Sequence, residues 1–172
     1  MQSRISLKWS LVIISIVIIA LATTIPLFLV HNVSQIPKKM SYTTNIIKDT
    51  QENDNFRKVL FTGANSQLVV MSILPGGEVG AETHKYTEQT LFFLSGTGEG
   101  ELDGKKFPIG PGDVVTVVPG TEHNFINTGT VPLKIYTVYA PPNHIDGRIQ
   151  KTKADADADT ADEAVGETAP VK

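Results

Sequence analysis

The chain has 172 residues, 41% of them hydrophobic and 19% charged, with 15 Lys and Arg against 18 Asp and Glu and a net charge of -3. That balance is typical of a folded globular domain, and without a basic stripe interleaved with aromatics it argues against a nucleic-acid partner. Cysteine is absent, which excludes disulfide bracing, thiolate catalysis and Cys-ligated zinc, so any metal site must use nitrogen and oxygen donors.

In chain order, the first element is the uncharged run LVIISIVIIALATTIPLFLV at 11–30. Its length matches the ~20 residues a helix needs to cross a bilayer core. Arg4, Lys8 and Trp9 precede it as interfacial anchors. Residues 1–31 are therefore expected to form one N-terminal transmembrane helix. The alternative is a signal sequence cleaved near Ala20-Leu21-Ala22, which would release a secreted protein. Arg4 and Lys8 favour an inside N-terminus, against the weaker opposing pair Lys38 and Lys39. The expected location is thus a single-pass membrane protein with its folded domain on the non-cytoplasmic side. Residues 32–55 are polar with a few apolar anchors and are read as a stalk.

From 56 to 150 the chain is a series of short segments rich in Val, Ile, Phe, Tyr and Thr: VLFT at 59–62, QLVVMSIL at 67–74, QTLFFLS at 89–95, GEGELDG at 98–104, DVVTVVP at 113–119, HNFIN at 123–127 and LKIYTVYA at 133–140. Gly, Pro, Asn and Asp separate them at the spacing of an all-β sandwich or barrel. Asp103-Gly104 signals a tight hairpin. Residues 151–172 form an Ala/Asp-rich acidic stretch with few sizeable apolar side chains. Burial there would not offset the entropy of ordering, so a disordered tail is expected.

The chemistry concentrates in two places. Glu82 and His84 stand at i and i+2, so on a strand they point to the same face. Gln89 follows on the next strand, and His123 lies just after the Pro119-Gly120 turn. If Gln89 faces inward, Leu91 and Phe93 do too and Glu88 faces out; a one-residue shift exchanges Glu88 for Gln89. Glu82, His84 and His123 make a two-histidine, one-carboxylate set suited to divalent Fe, Mn, Ni or Zn with open positions, and Gln89 would add a neutral oxygen. Leu91, Phe92 or Phe93, Phe125 and Tyr136 offer a mixed apolar lining for a small ligand. Near the motifs Lys85 is the only cation noted, which gives little to clamp a phosphate. His144, in the loop after the last long strand, is read as a hydrogen-bonding or surface residue.

These residues carry a resemblance to the cupin superfamily. Its first motif, G-x5-H-x-H-x3–4-E-x6-G, is matched by Gly76, Glu82, His84, Gln89 and Gly96. The second, G-x5-P-x-G-x2-H-x3-N, is matched by Gly112, Gly120, His123 and Asn127, with Val118 in the proline position and Pro119 one place later. Glu82 stands where the first His usually does and Gln89 where the Glu usually does. The segment KIYTVYAPPNHIDGR at 134–148 further resembles small single-domain bacterial cupins. The resemblance implies an all-β double-stranded β-helix, the cupin jelly-roll barrel, with Glu82, His84, Gln89 and His123 holding a divalent metal ion. It implies Gly96, Gly112 and Gly120 at tight corners, Asn127 tying down a turn, and a capacity to form homodimers. The function it implies is that of a metal-dependent enzyme on a small polar molecule, of dioxygenase or isomerase type, with Glu82 able to act as a base. The alternative is a non-catalytic metal or small-ligand binding module.

Overall fold

The computed structural model describes residues 41–168. The expected membrane helix lies outside these residues. Among the described residues, no helix is long and apolar enough to cross a membrane.

The first element, α1 (Ile46–Glu52), starts at Asn45, whose side chain accepts from the Lys48 backbone N–H and so caps the helix. Ten strands follow: β1 (Arg57–Thr62), β2 (Gln67–Ile73), β3 (Glu82–Thr83), β4 (Glu88–Ser95), β5 (Gly98–Leu102), β6 (Lys105–Ile109), β7 (Val114–Val117), β8 (Glu122–Asn127), β9 (Leu133–Ala140) and β10 (Ile149–Gln150). They pair antiparallel into a six-stranded sheet, β10-β1-β2-β9-β4-β7, and a four-stranded sheet, β3-β8-β5-β6. The all-β expectation is met. β6 escaped the sequence reading because Pro108 interrupts it. A proline is tolerated on an edge strand, which needs fewer ladder donors, and β6 is the edge of its sheet. Asp103 and Gly104 form the β5–β6 turn with φ of 46° and 76°, both left-handed as an Asp-Gly hairpin requires.

Alternation along the strands builds the interior in tiers. On β4, Gln89, Leu91 and Phe93 are buried and Glu88 is exposed, which settles the register in favour of Gln89. On β9 the inward set is Leu133, Ile135, Thr137 and Tyr139. Tyr136 therefore does not line the interior as expected. It sits on the opposite face, stacked on Phe92 with ring centroids 4.7 Å apart. The parity of β9 brings Tyr139 inside in its place. Phe93 and Phe125 meet across the two sheets at 5.4 Å and anchor the apolar end of the barrel. Toward the other end the same strands turn polar: Gln67 and Gln89 both pair with Tyr139, and Glu82 pairs with His123. The polar tier is thus continuous with the core and rests on it.

Two terminal segments differ from expectation. Residues 41–55, read as part of a stalk, contain α1, whose Thr50 is buried and whose exit is fastened by Lys134 Nζ donating to the Asn53 carbonyl and pairing with Asp54 at 3.2 Å. The acidic stretch read as a disordered tail forms two short helices, α2 (Lys153–Asp157) and α3 (Thr160–Gly166). Thr152 and Asp155 close a reciprocal capping box on α2, and Asp159 caps α3. Apolar burial does not hold this segment. Among its described residues Ala156 is the only member of the core, while Asp162 is 2% exposed and engaged in polar contacts. A carboxylate that finds partners in the barrel supplies what large apolar side chains could not.

Candidate metal centre

Three side chains converge at the polar end. β3 carries Glu82, the loop beyond it His84, and β8 His123. Their ligand atoms lie within 4.8 Å of one another. His84 Nε2 and His123 Nε2 each stand 3.4 Å from the same Glu82 oxygen, Oε1. The β3–β8 register places Glu82 directly opposite His123. Gly120, at φ 87°, turns the chain into β8, and its N–H donates to the His84 carbonyl at 2.9 Å. The glycine thereby ties the loop carrying one histidine to the strand carrying the other. The positive φ expected at Gly96 and Gly112 is also present.

The donor set fits a cation. His123 Nδ1 lies 3.0 Å from the Thr121 carbonyl, to which it donates, leaving Nε2 with a lone pair aimed at the cluster. His84 Nε2, His123 Nε2 and Gln89 Oε1 are all buried and none has a hydrogen-bond partner. Buried polar atoms are nearly always satisfied, and a cation beside Glu82 would satisfy both orphaned imidazole nitrogens. Gln89 joins the tier through Tyr139: its amide Nε2 donates to the Tyr139 hydroxyl at 2.9 Å, and the Tyr139 ring meets His84 edge-on at 5.6 Å. Glu88 is exposed and takes no part.

The electrostatics agree. Burial raises the proton affinity of Glu82, but the facing imidazoles of His123 and His84 and the charge of Arg57 outweigh it and hold the carboxyl well below the usual carboxylate range. Burial lowers the pKa of His123, but Glu82 and the Thr121 carbonyl outweigh that and raise it. Burial pushes the Tyr139 hydroxyl well above its ordinary value, so it stays protonated.

A cavity of about 360 Å3 opens beside the triad, bounded by Glu82 and His84 on the barrel side and by Lys153, Asp157 and Glu163 on the C-terminal helices. Arg57 and His144 also line it. His144 Nδ1 is 2.8 Å from Asp162 Oδ2 and 3.2 Å from an Arg57 nitrogen. Nδ1 donates to the nearer carboxylate, and Arg57 pairs with Asp162 at 3.6 Å. Of the hydrogen-bonding or surface role expected of His144, the structure shows the first and not the second, since the residue is buried. Arg57 and Asp162 were not singled out from the sequence, because no local motif marks a β1 arginine or one aspartate among many. Lys85 is instead placed over the Tyr86 ring, 5.1 Å from its centroid. Asn127 ties its turn as expected, donating to the Ile73 and Val131 carbonyls and accepting from Gly129.

An antiparallel two-sheet barrel with a histidine–carboxylate cluster at one end defines a class of small jelly-roll proteins, and comparison with known proteins gives the family. The Cupin domain family matches residues 69–139. YrkC of Bacillus subtilis, an uncharacterized protein, is 41% identical over 121 residues, covering 67% of this chain; the chain spans 65% of that relative's length. The crystal structure of BH2720 from Bacillus halodurans superposes with a TM-score of 0.68 at 34% identity, covering 71% of this chain and 97% of that one. An oxalate-binding protein of Thermotoga maritima is 34% identical over 68 residues, 40% of this chain and 56% of the relative. The chain belongs to the cupin superfamily.

Proposed function

We propose that this cupin-domain protein binds one divalent metal ion through Glu82, His84, His123 and Gln89, and acts there on a small polar molecule. The observation that carries the reading is the pair of unpartnered imidazole nitrogens facing one Glu82 oxygen at 3.4 Å. An ion in that position would polarise a bound carbonyl or carboxylate, or activate oxygen. The chain's own groups have distinct parts. Tyr139 orients Gln89, Thr121 fixes the His123 tautomer, and Arg57 and His144 line the wall of a cavity of about 360 Å3, sized for a small polar molecule. Glu82, kept ionised, could accept a proton from a substrate if it leaves the ion.

A second reading, a non-catalytic binding module, is favoured by the similarity to the Thermotoga oxalate-binding protein. The test is to load the full chain with Zn2+, Mn2+, Ni2+ or Fe2+ and measure both binding and turnover of oxalate and small hydroxy- and keto-acids. Turnover lost in His123→Ala supports the enzyme; saturable binding without turnover supports the module. Neither with any metal would remove both. The apolar length of residues 11–30 supports a membrane-anchored form, and Arg4 and Lys8 before them favour the barrel on the non-cytoplasmic side. Carbonate extraction of membranes tests it: an anchored chain stays with the lipid, a cleaved one does not.

A further inference from the structure

We propose that Asn143 is a positioning residue for His84, accepting the His84 Nδ1 proton on its side-chain oxygen so that Nε2 presents a lone pair to Glu82 and the ion. The inference rests on the metal reading above.

The two histidines of the cluster are used alike at one end and differ at the other. Both direct Nε2 toward Glu82 Oε1, and for His123 the Thr121 carbonyl at 3.0 Å holds the proton on Nδ1. His84 has no such carbonyl. Its Nδ1 instead meets the Asn143 amide, with Nδ2 at 3.4 Å, while Asn143 Oδ1 is buried without a partner. The oxygen and nitrogen of a side-chain amide exchange places by a half-turn, and the correct orientation follows from the hydrogen bonds it must make. With nitrogen toward His84, Nδ1 must be the acceptor, the ring proton moves to Nε2, and that atom can no longer bind a cation. With oxygen toward His84, the orphaned acceptor is satisfied and Nε2 is free. Only the second arrangement makes the two histidines equivalent as ligands.

Asn143 is built to hold this position. It is 5% exposed, and its backbone N–H, like that of His144, donates to Gln67 Oε1, at 3.2 and 2.9 Å. Close against its amide stands Gly166, the last residue of α3. A Cβ at Gly166 would fall 2.8 Å from Asn143 Oδ1 and 3.0 Å from Nδ2. Glycine there lets α3 close against the amide without displacing it. Asp162, one turn earlier on the same helix, accepts from the Ile145 N–H at 2.8 Å and secures the same loop. The acidic C-terminal segment thus reaches the metal cluster through one small residue and one asparagine. An oriented outer hydrogen bond of this kind is commonly worth about 10- to 100-fold in metal affinity.

The experiment uses the metal-free full chain labelled with 15N-histidine, in detergent, at a pH where the histidines are neutral. Long-range 1H–15N correlation reads the His84 tautomer. Wild type is expected as Nδ1–H. Asn143→Leu, which fills the space without an acceptor, should shift His84 toward Nε2–H and weaken Zn2+ binding about 10- to 100-fold. Asn143→Asp keeps an acceptor and should restore both. Should Asn143→Leu not fold, Gly166→Ala serves instead: it removes no hydrogen bond, favours helix, and must still shift the amide out of its hydrogen-bond geometry with His84. Its expected result is a mixed tautomer. A wild-type Nε2–H tautomer, or one unmoved by the fold-competent variants, overturns the proposal. An Nδ1–H tautomer that depends on Asn143 in a chain that binds no metal would refute the metal reading and leave the positioning role standing.

Discussion

Replacing Asp162 with Ala tests the unexpected docking of the C-terminal helices. Asp162 is 2% exposed, accepts from His144 Nδ1 at 2.8 Å and from the Ile145 N–H at 2.8 Å, and lies 3.6 Å from Arg57. Removing one member of a buried ion-paired set commonly costs about 3–5 kcal/mol, because the partners are left buried and unpaired. Here the loss has an upper bound. α2 and α3 contribute only Ala156 to the core, so the segment can undock while the barrel persists, and the global cost stops at the segment's own docking free energy. The expected result is a loss of hydrogen-exchange protection across 153–166, with a drop of about 1–3 kcal/mol in stability if Arg57 and His144 stay buried without their partner and less as undocking hydrates them. Asp162→Asn keeps one acceptor and should fall between. Since its native contacts depress the Asp162 pKa despite burial, the contribution is present above the ordinary aspartate value and is lost as pH falls through the lower folded value. Urea denaturation should therefore show the gap between wild type and Asp162→Asn closing in acid. Unchanged protection at 160–166 in Asp162→Ala would refute the docking argument.

Other outcomes follow from the same contacts. Because the His123 pKa is raised in the metal-free site, a cation must displace that proton, and Zn2+ affinity should fall about tenfold per pH unit below that raised value; a pH-independent Kd from pH 8 to 5 would contradict this. Tyr139→Phe removes the hydroxyl that holds Gln89; it should cost about 1 kcal/mol in stability and weaken metal binding while leaving the imidazole pair in place, measured by thermal melting and titration. Phe125→Ala empties the junction between the sheets and should cost about 3–5 kcal/mol in urea unfolding.

The barrel was legible because its signals are local. Strand alternation put Gln89, Leu91 and Phe93 on one face and left only the register against Glu88 for the fold to decide, and the Asp103-Gly104 turn and the corner glycines marked where strands end. The triad was legible because Glu82 and His84 stand two residues apart and His123 sits at a fixed offset from a Gly turn, although β3 ends at Thr83 and His84 reaches the cluster from the loop beyond it. Tyr139 was missed because the strand around it offers two aromatic residues of opposite parity, Tyr136 and Tyr139, and only the paired register with Gln89 tells them apart. The C-terminal helices were missed for a different reason. Composition reports the burial a segment can gain from apolar side chains, whereas this one is held by Asp162 meeting His144 and Arg57, residues 18 and 105 positions away in a chain that gives no local sign of it.

The most direct test of the metal centre is titration of the metal-stripped full chain with Zn2+ and Mn2+ by calorimetry, beside Glu82→Ala and His123→Ala. One ion per chain, with binding weakened at least about 100-fold in both variants, is the expected result; a ratio well below one in the wild type, or equal binding in the variants, would contradict a cation held at Glu82, His84 and His123.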